Sequence, residues 1–143
     1  MTDIVKVKTG SRFEELGSYS RLVAIDNLIF VSNTAGRNPQ TKKIPEDLTG
    51  QTLQVLANIE TALASVGASL ADVVASRVFV QSPQDVDTIM AAYAQKMRGI
   101  NPTLTMTCPP LGSTEYKVEI EVTAYRGASR ANVKEINLSA TAG

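Results

Sequence analysis

The chain has no histidine and no tryptophan among its 143 residues, and its one cysteine is Cys108. The missing histidine excludes Ser-His-Asp and Cys-His nucleophile pairs as usually built, and His-containing zinc sites with them. A single cysteine forms neither an internal disulfide nor a four-thiolate metal site, which agrees with a reducing compartment. Proton transfer must then rest on Glu, Asp, Lys, Tyr or Cys. Charge of either sign is not in excess, because fourteen Lys and Arg balance fourteen Asp and Glu. That argues against nucleic acid or a membrane surface as partner. The nine glycines are scattered, and none sits in a GxxxxGK or GxGxxG phosphate loop. No apolar stretch approaches the ~20 residues of a membrane helix. The N-terminus, MTDIVKVKTG, has no apolar signal region, so the cytoplasm is the expected location.

What is present fits a single domain, 1–128, followed by a small, polar tail, 129–143. Ile4 to Lys8 alternates Ile and Val with Lys and reads as a short edge strand. Thr9 to Ser18 reads as a loop pinned by Phe13 and Leu16. Tyr19–Ile25 and Leu28–Thr34 read as strands around Asp26-Asn27, a two-residue hairpin signal. In the first of these, Tyr19, Arg21 and Val23 share a face. The second ends in Ser32, Asn33 and Thr34. A proline-containing loop, Ala35 to Leu48, leads to a helix over Thr49–Val66 with a broad apolar surface and Gly67 beyond its end. Val73–Gln81 alternates as a strand, with Val74, Ser76, Val78 and Val80 expected on one side. Ser82 and Pro83 open a second helix, in which Val86, Ile89, Met90, Tyr93, Ala94 and Met97 form the apolar stripe.

The densest pattern is Asn101 to Tyr125. Leu104, Met106 and Cys108 alternate with Thr103, Thr105 and Thr107. Then Val118, Ile120, Val122 and Ala124 alternate with Lys117, Glu119, Glu121 and Thr123. Glu119 and Glu121 therefore share one polar strand face. On spacing alone this is either a solvated face or a carboxylate at a cleft. Cys108 reads as a buried small apolar residue rather than a nucleophile, with no neighbouring cation to lower its pKa. The element order is β-β-β-α-β-α-β-β, an α+β architecture in which two helices cover one face of one sheet. The other face needs solvent or another subunit.

This order, with GSYSRLVAIDNLIFVSNTAG, NIETALASVGASLADVVASRVFVQSPQDVDTIMAAY, NPTLT and VEIEVTA, resembles the reactive intermediate deaminase (Rid) superfamily over about Gly17 to Arg126. Tyr19, Ser32, the Pro102 segment and Glu119 fall where that family's pattern has a tyrosine, a serine, a Pro-Ala-Arg segment and a glutamate. The resemblance implies a chorismate-mutase-like fold and a homotrimer with clefts between subunits. It also implies hydrolysis of imines or enamines of small metabolites, with no metal and no cofactor. In that pattern an arginine binds the substrate carboxylate and a glutamate positions water. Three positions depart from it. Leu104 stands at the arginine, Ser32-Asn33 replaces a serine-glycine pair, and Met90 stands where an asparagine is usual. A divergent subgroup with an altered substrate is therefore expected, or a non-catalytic trimer that binds a small molecule.

Glu119 is the candidate catalytic residue, with an interface carboxylate as the alternative. Tyr19, Arg21, Ser32, Asn33, Leu104 and Thr105 are the candidate substrate-binding residues. Arg21, or more weakly Arg77, could supply the cation absent at Leu104, or each could be an ordinary surface arginine. Ribonuclease activity, an older suggestion for the superfamily, is disfavoured by the lack of histidine and of basic excess.

Overall fold

The computed structural model describes residues 1–139, so the last positions of the expected tail, 140–143, lie outside the described residues. Strands β1 (Ile4–Val7), β2 (Leu22–Ile25), β3 (Leu28–Ala35), β4 (Val73–Val80), β5 (Thr103–Thr107) and β6 (Val118–Tyr125) form one sheet in the order β1-β2-β3-β6-β4-β5. Every pairing is antiparallel except that of β4 with the edge strand β5. The expected order of elements is thus the observed one, with an additional short helix α1 (Arg12–Gly17) in the segment expected as a loop.

Helices α2 (Leu48–Ala64) and α3 (Val86–Met97) lie side by side on one face. Asp47 caps α2 by accepting a hydrogen bond from the Gly50 amide at 2.7 Å. The helix buries Val55, Leu56, Ile59 and Leu63 against Leu22, Ile29, Val31, Ile120 and Val122 of the sheet. Each such side chain contributes about 1.5–3 kcal/mol of burial before entropy is charged against it. Gly36 passes so close to α2 that a Cβ there would lie 2.7 Å from the Gln51 carbonyl oxygen. The β2–β3 hairpin turns at Asp26, whose φ of 51° is one that Asp tolerates.

Four expectations need correction. Phe13 and Leu16 do not pin the N-terminal segment. Both are exposed on α1, and Glu14 is the residue turned inward, fully buried. In β4 a bulge between Val73 and Ala75 breaks the alternation, so Val73 enters the core and Val74 faces out. Cys108, beyond the end of the edge strand β5, is exposed rather than buried. The strand expected from Tyr19 begins at Leu22, because the chain before it is held by the α1 end. There Ser18 takes a left-handed conformation with φ of 55°.

The helix-free face carries Val23, Phe30, Thr123 and Tyr125 toward one end. Arg77, Phe79, Glu119 and Glu121 lie toward the other, with Ala75 beside Thr123 between them. Leu28, Phe30, Val74 and Tyr125 are exposed there.

Candidate functional site

Glu119 sits mid-sheet on the helix-free face, in register with Phe79 of β4 and Ala35 of β3. What brings a partner to it is a second bulge. Val31 pairs with Val122 and Thr34 with Ile120, so β3 spends one residue more than β6 over the same stretch. Strict alternation from Ile29 and Val31 would aim Asn33 at the core. The extra residue reverses the parity, puts Thr34 in the core and leaves Asn33 on the outer face. The Asn33 amide then donates to Glu119 Oε1 at 2.7 Å. Burial pushes the Glu119 pKa above the ordinary 4.5, and the Asn33 donor offsets part of that rise. Among the described residues no second donor meets the Glu119 carboxylate.

The neighbouring candidates form one contiguous group. Ser32 donates its hydroxyl to the Ser20 carbonyl at 2.7 Å, so its polar group is spent within the hairpin. Arg21 donates from Nη1 to the Asn33 carbonyl at 3.0 Å and to Thr34 Oγ1 at 3.2 Å, and its Nε lies 3.5 Å from Glu14 Oε2. Its guanidinium also lies 5.7 Å from the centre of the Tyr19 ring. Arg21 therefore does not stand free as a replacement cation. Neither does Arg77, which donates from Nη1 to Glu121 Oε1 at 2.8 Å.

Thr105 shares the helix-free face but lies on β5, beyond Arg77. It lines a shallow polar pocket of about 60 Å³ with Ala75, Arg77, Thr103 and Glu121. Leu104 faces the opposite way. It pairs in register with the buried Ser76 and borders a groove of about 310 Å³ between α3 and β5, with Met90, Tyr93, Met97, Arg98 and Pro102. Within one chain, then, Tyr19, Arg21, Ser32, Asn33 and Glu119 are brought together, Thr105 stands apart on the same face, and Leu104 lies on the other. Among the described residues no three His, Cys, Asp or Glu side chains gather as metal ligands.

Two functional supports are absent from the sequence reading. Glu14 is 0% exposed, and it accepts from the Thr9 amide at 2.9 Å and the Thr9 hydroxyl at 2.6 Å. The Ser11–Glu14 spacing is a helix-start signature that marks this position, although here Glu14 reaches Thr9. Gln51, buried on α2, accepts from the Lys117 amide at 2.6 Å and donates to the Pro45 and Glu115 carbonyls. It fixes the start of β6 two residues before Glu119.

A six-stranded sheet with two helices on one face, and a half-buried glutamate on the other, defines the class of chorismate-mutase-like α+β proteins. Within that class the chain belongs to the Rid superfamily, since the family described as Endoribonuclease L-PSP matches residues 9–126. It is 30% identical over 114 residues to the 2-iminobutanoate/2-iminopropanoate deaminase of Escherichia coli, covering 78% of this chain and 89% of that one. A Mycobacterium tuberculosis structure of a YjgF/YER057c/UK114 family member superposes with a TM-score of 0.79 at 35% identity, over 86% of this chain and 99% of that one. The structure of Escherichia coli TdcF with bound serine superposes with a TM-score of 0.72 at 26% identity, over 85% and 93%.

Proposed function

We propose that this protein is a cofactor-free deaminase of the cytoplasm that hydrolyses reactive imines or enamines of small metabolites. It would work as a homotrimer whose subunits meet through their helix-free sheet faces. The observation that carries this reading is Glu119, a half-buried carboxylate with a raised pKa, one oxygen engaged by Asn33 and a second without a partner among the described residues. Such a group is suited to take a proton from water and return it at neutral pH. Water adds to the imine carbon as its proton passes to Glu119. That proton goes to the nitrogen to give a carbinolamine, whose hydroxyl proton Glu119 then takes and passes to the amine as the carbon–nitrogen bond breaks, leaving a carbonyl compound and ammonia. The exposed Leu28, Phe30, Val74 and Tyr125 on the same face support a subunit interface there, since contiguous apolar surface of this kind marks association sites.

The substrate is expected to differ from that of the Escherichia coli relative. Leu104 stands at the arginine position, and Arg21 and Arg77 are both paired within the chain. A charge-assisted bond to a carboxylate is worth about 1.5–3 kcal/mol, so its loss favours substrates without that group. The same observation supports a second reading, a trimeric small-molecule-binding protein that does not turn its ligand over. The two are separated by following ammonia release from a panel of imines, with and without a carboxylate, using Glu119→Gln as control. Turnover lost in the variant supports the enzyme. Binding without ammonia release supports the second reading. Because Leu104 and Glu119 lie on opposite faces of one chain, the enzyme reading has the Leu104 groove of one subunit meet Glu119 of the next in the trimer. On that reading Leu104→Arg is expected to raise activity on carboxylate-bearing imines by about tenfold or more. Sedimentation tests the trimer.

A further inference from the structure

Glu14 and Arg21 lie outside direct contact with Glu119, and the geometry points to a role for them there. We propose that Arg21, anchored by the buried Glu14, is a positioning residue that locks the β3 bulge and so delivers the Asn33 amide to Glu119. The proposal rests on Glu119 being the working carboxylate, but its test does not use turnover.

The bulge is knit by short-range bonds. Ser32 donates its amide to the Arg21 carbonyl at 2.9 Å and its hydroxyl to the Ser20 carbonyl at 2.7 Å. Thr34 donates its hydroxyl to the Ser32 carbonyl at 2.7 Å. The Asn33 carbonyl, at the apex, is met by Arg21 Nη1. That same nitrogen reaches Thr34 Oγ1, so one guanidinium arm spans the two residues whose parity the bulge reverses. Asn33 is in hydrogen-bond contact with both sides: its carbonyl accepts from Arg21 and its side chain donates to Glu119. A register slip here would return Asn33 toward the core and leave Glu119 without its donor.

An exposed arginine could not do this reliably, because its long side chain has many rotamers. Arg21 is only 15% exposed and is held from behind by Glu14. Glu14 in turn is fixed by both the amide and the hydroxyl of Thr9, on a helix capped by Ser11, which accepts from the Phe13 amide. The cation is thus fixed inside the chain as a strut between α1 and β3.

The test is a carbon-13 NMR titration of the Glu119 carboxyl in the full chain. It compares the wild type with Asn33→Ala, Arg21→Gln and the double variant. Asn33→Ala should raise the Glu119 pKa by about one unit, the order of a lost hydrogen bond to a charged group. Arg21→Gln should raise it in the same direction, and the double variant should match Asn33→Ala alone. An unchanged titration in folded Arg21→Gln would overturn the proposal. So would an Arg21 effect that persists in full without Asn33, because that would mean simple loss of a nearby charge. If Arg21→Gln does not fold, Arg21→Lys serves: its compact ammonium cannot reach Glu14 and Asn33 together. At least half the shift is expected there, and a wild-type titration overturns the proposal equally. Because no substrate is used, a Glu119 that proves non-catalytic leaves this result standing, and the converse also holds.

Discussion

Glu14 and Glu119 are both drawn away from water, and the fold treats them in opposite ways. Around Glu14, burial works to raise the pKa. The Thr9 hydroxyl and amide and the Arg21 guanidinium outweigh it, so the carboxyl titrates below its ordinary value. Around Glu119, burial again works to raise the pKa, and the single Asn33 donor does not cancel it. The two differ in their donors: three meet the Glu14 carboxylate and one meets that of Glu119. A carboxylate with three partners is a structural anchor. One with a single partner keeps an oxygen for something else, and the protein carries it at a cost in stability.

That contrast is open to direct attack. The largest effect expected is on turnover: Glu119→Gln should lower ammonia release by about 10²–10⁴-fold. It should leave the fold as stable as before, or more stable at neutral pH, as read by urea unfolding. A variant that unfolds readily would mean that Glu119 is an anchor as well. Glu14→Gln should do the reverse and destabilise by about 1.5–3 kcal/mol, the worth of charged hydrogen bonds at a fully buried site. Any loss of activity in that variant is expected to come through Asn33.

The pH dependence sharpens the same comparison. Glu14 has a depressed folded-state pKa, so its contribution is present above the unfolded value near 4.5 and is lost as pH falls through the folded one. Asp72 behaves likewise, held by the Ser129 and Ser69 amides. Glu119 has the opposite sign. Its penalty is full above its raised folded pKa and is relieved as pH falls through it, disappearing below the unfolded value. The stability advantage of Glu119→Gln over the wild type should therefore vanish in mild acid, while the deficit of Glu14→Gln shrinks only as the Glu14 pKa is passed. Unfolding curves between neutral and acid pH decide this. The smallest effect belongs to the exposed pair on the same sheet face. Breaking Arg77–Glu121 with Arg77→Ala should change stability by at most about 1 kcal/mol.

Much of this architecture was legible beforehand because it follows from periodicity. The alternation Val118-Ile120-Val122-Ala124 places Glu119 on the outer face whatever its neighbours do. The stripe Ile89-Tyr93-Met97 likewise fixes how α3 lies on the sheet. The site was legible only in part. Glu119, Asn33, Ser32, Tyr19 and Arg21 lie together in the folded chain, but Arg21 is consumed by Glu14, and Leu104 lies across the sheet from Thr105. The bulge in β4 has no signature in residue type, since Val73-Val74 suits a regular strand, and the small polar run at Ser32-Asn33 in β3 does not say where the extra residue falls.

Sequence alone determined the element order, the apolar faces and the chemistry available, because hydrophobic period and residue type are local properties. The absence of histidine likewise narrowed proton transfer to carboxylates and a few other groups before any fold was known. Which carboxylate is satisfied and which is left reactive was decided by tertiary structure. Hydrogen-bond partners such as Asn33 and Glu119, 86 residues apart in the chain, meet only after strand register and bulge are set. Register depends on the packing of the whole sheet, so no short stretch of residues encodes it.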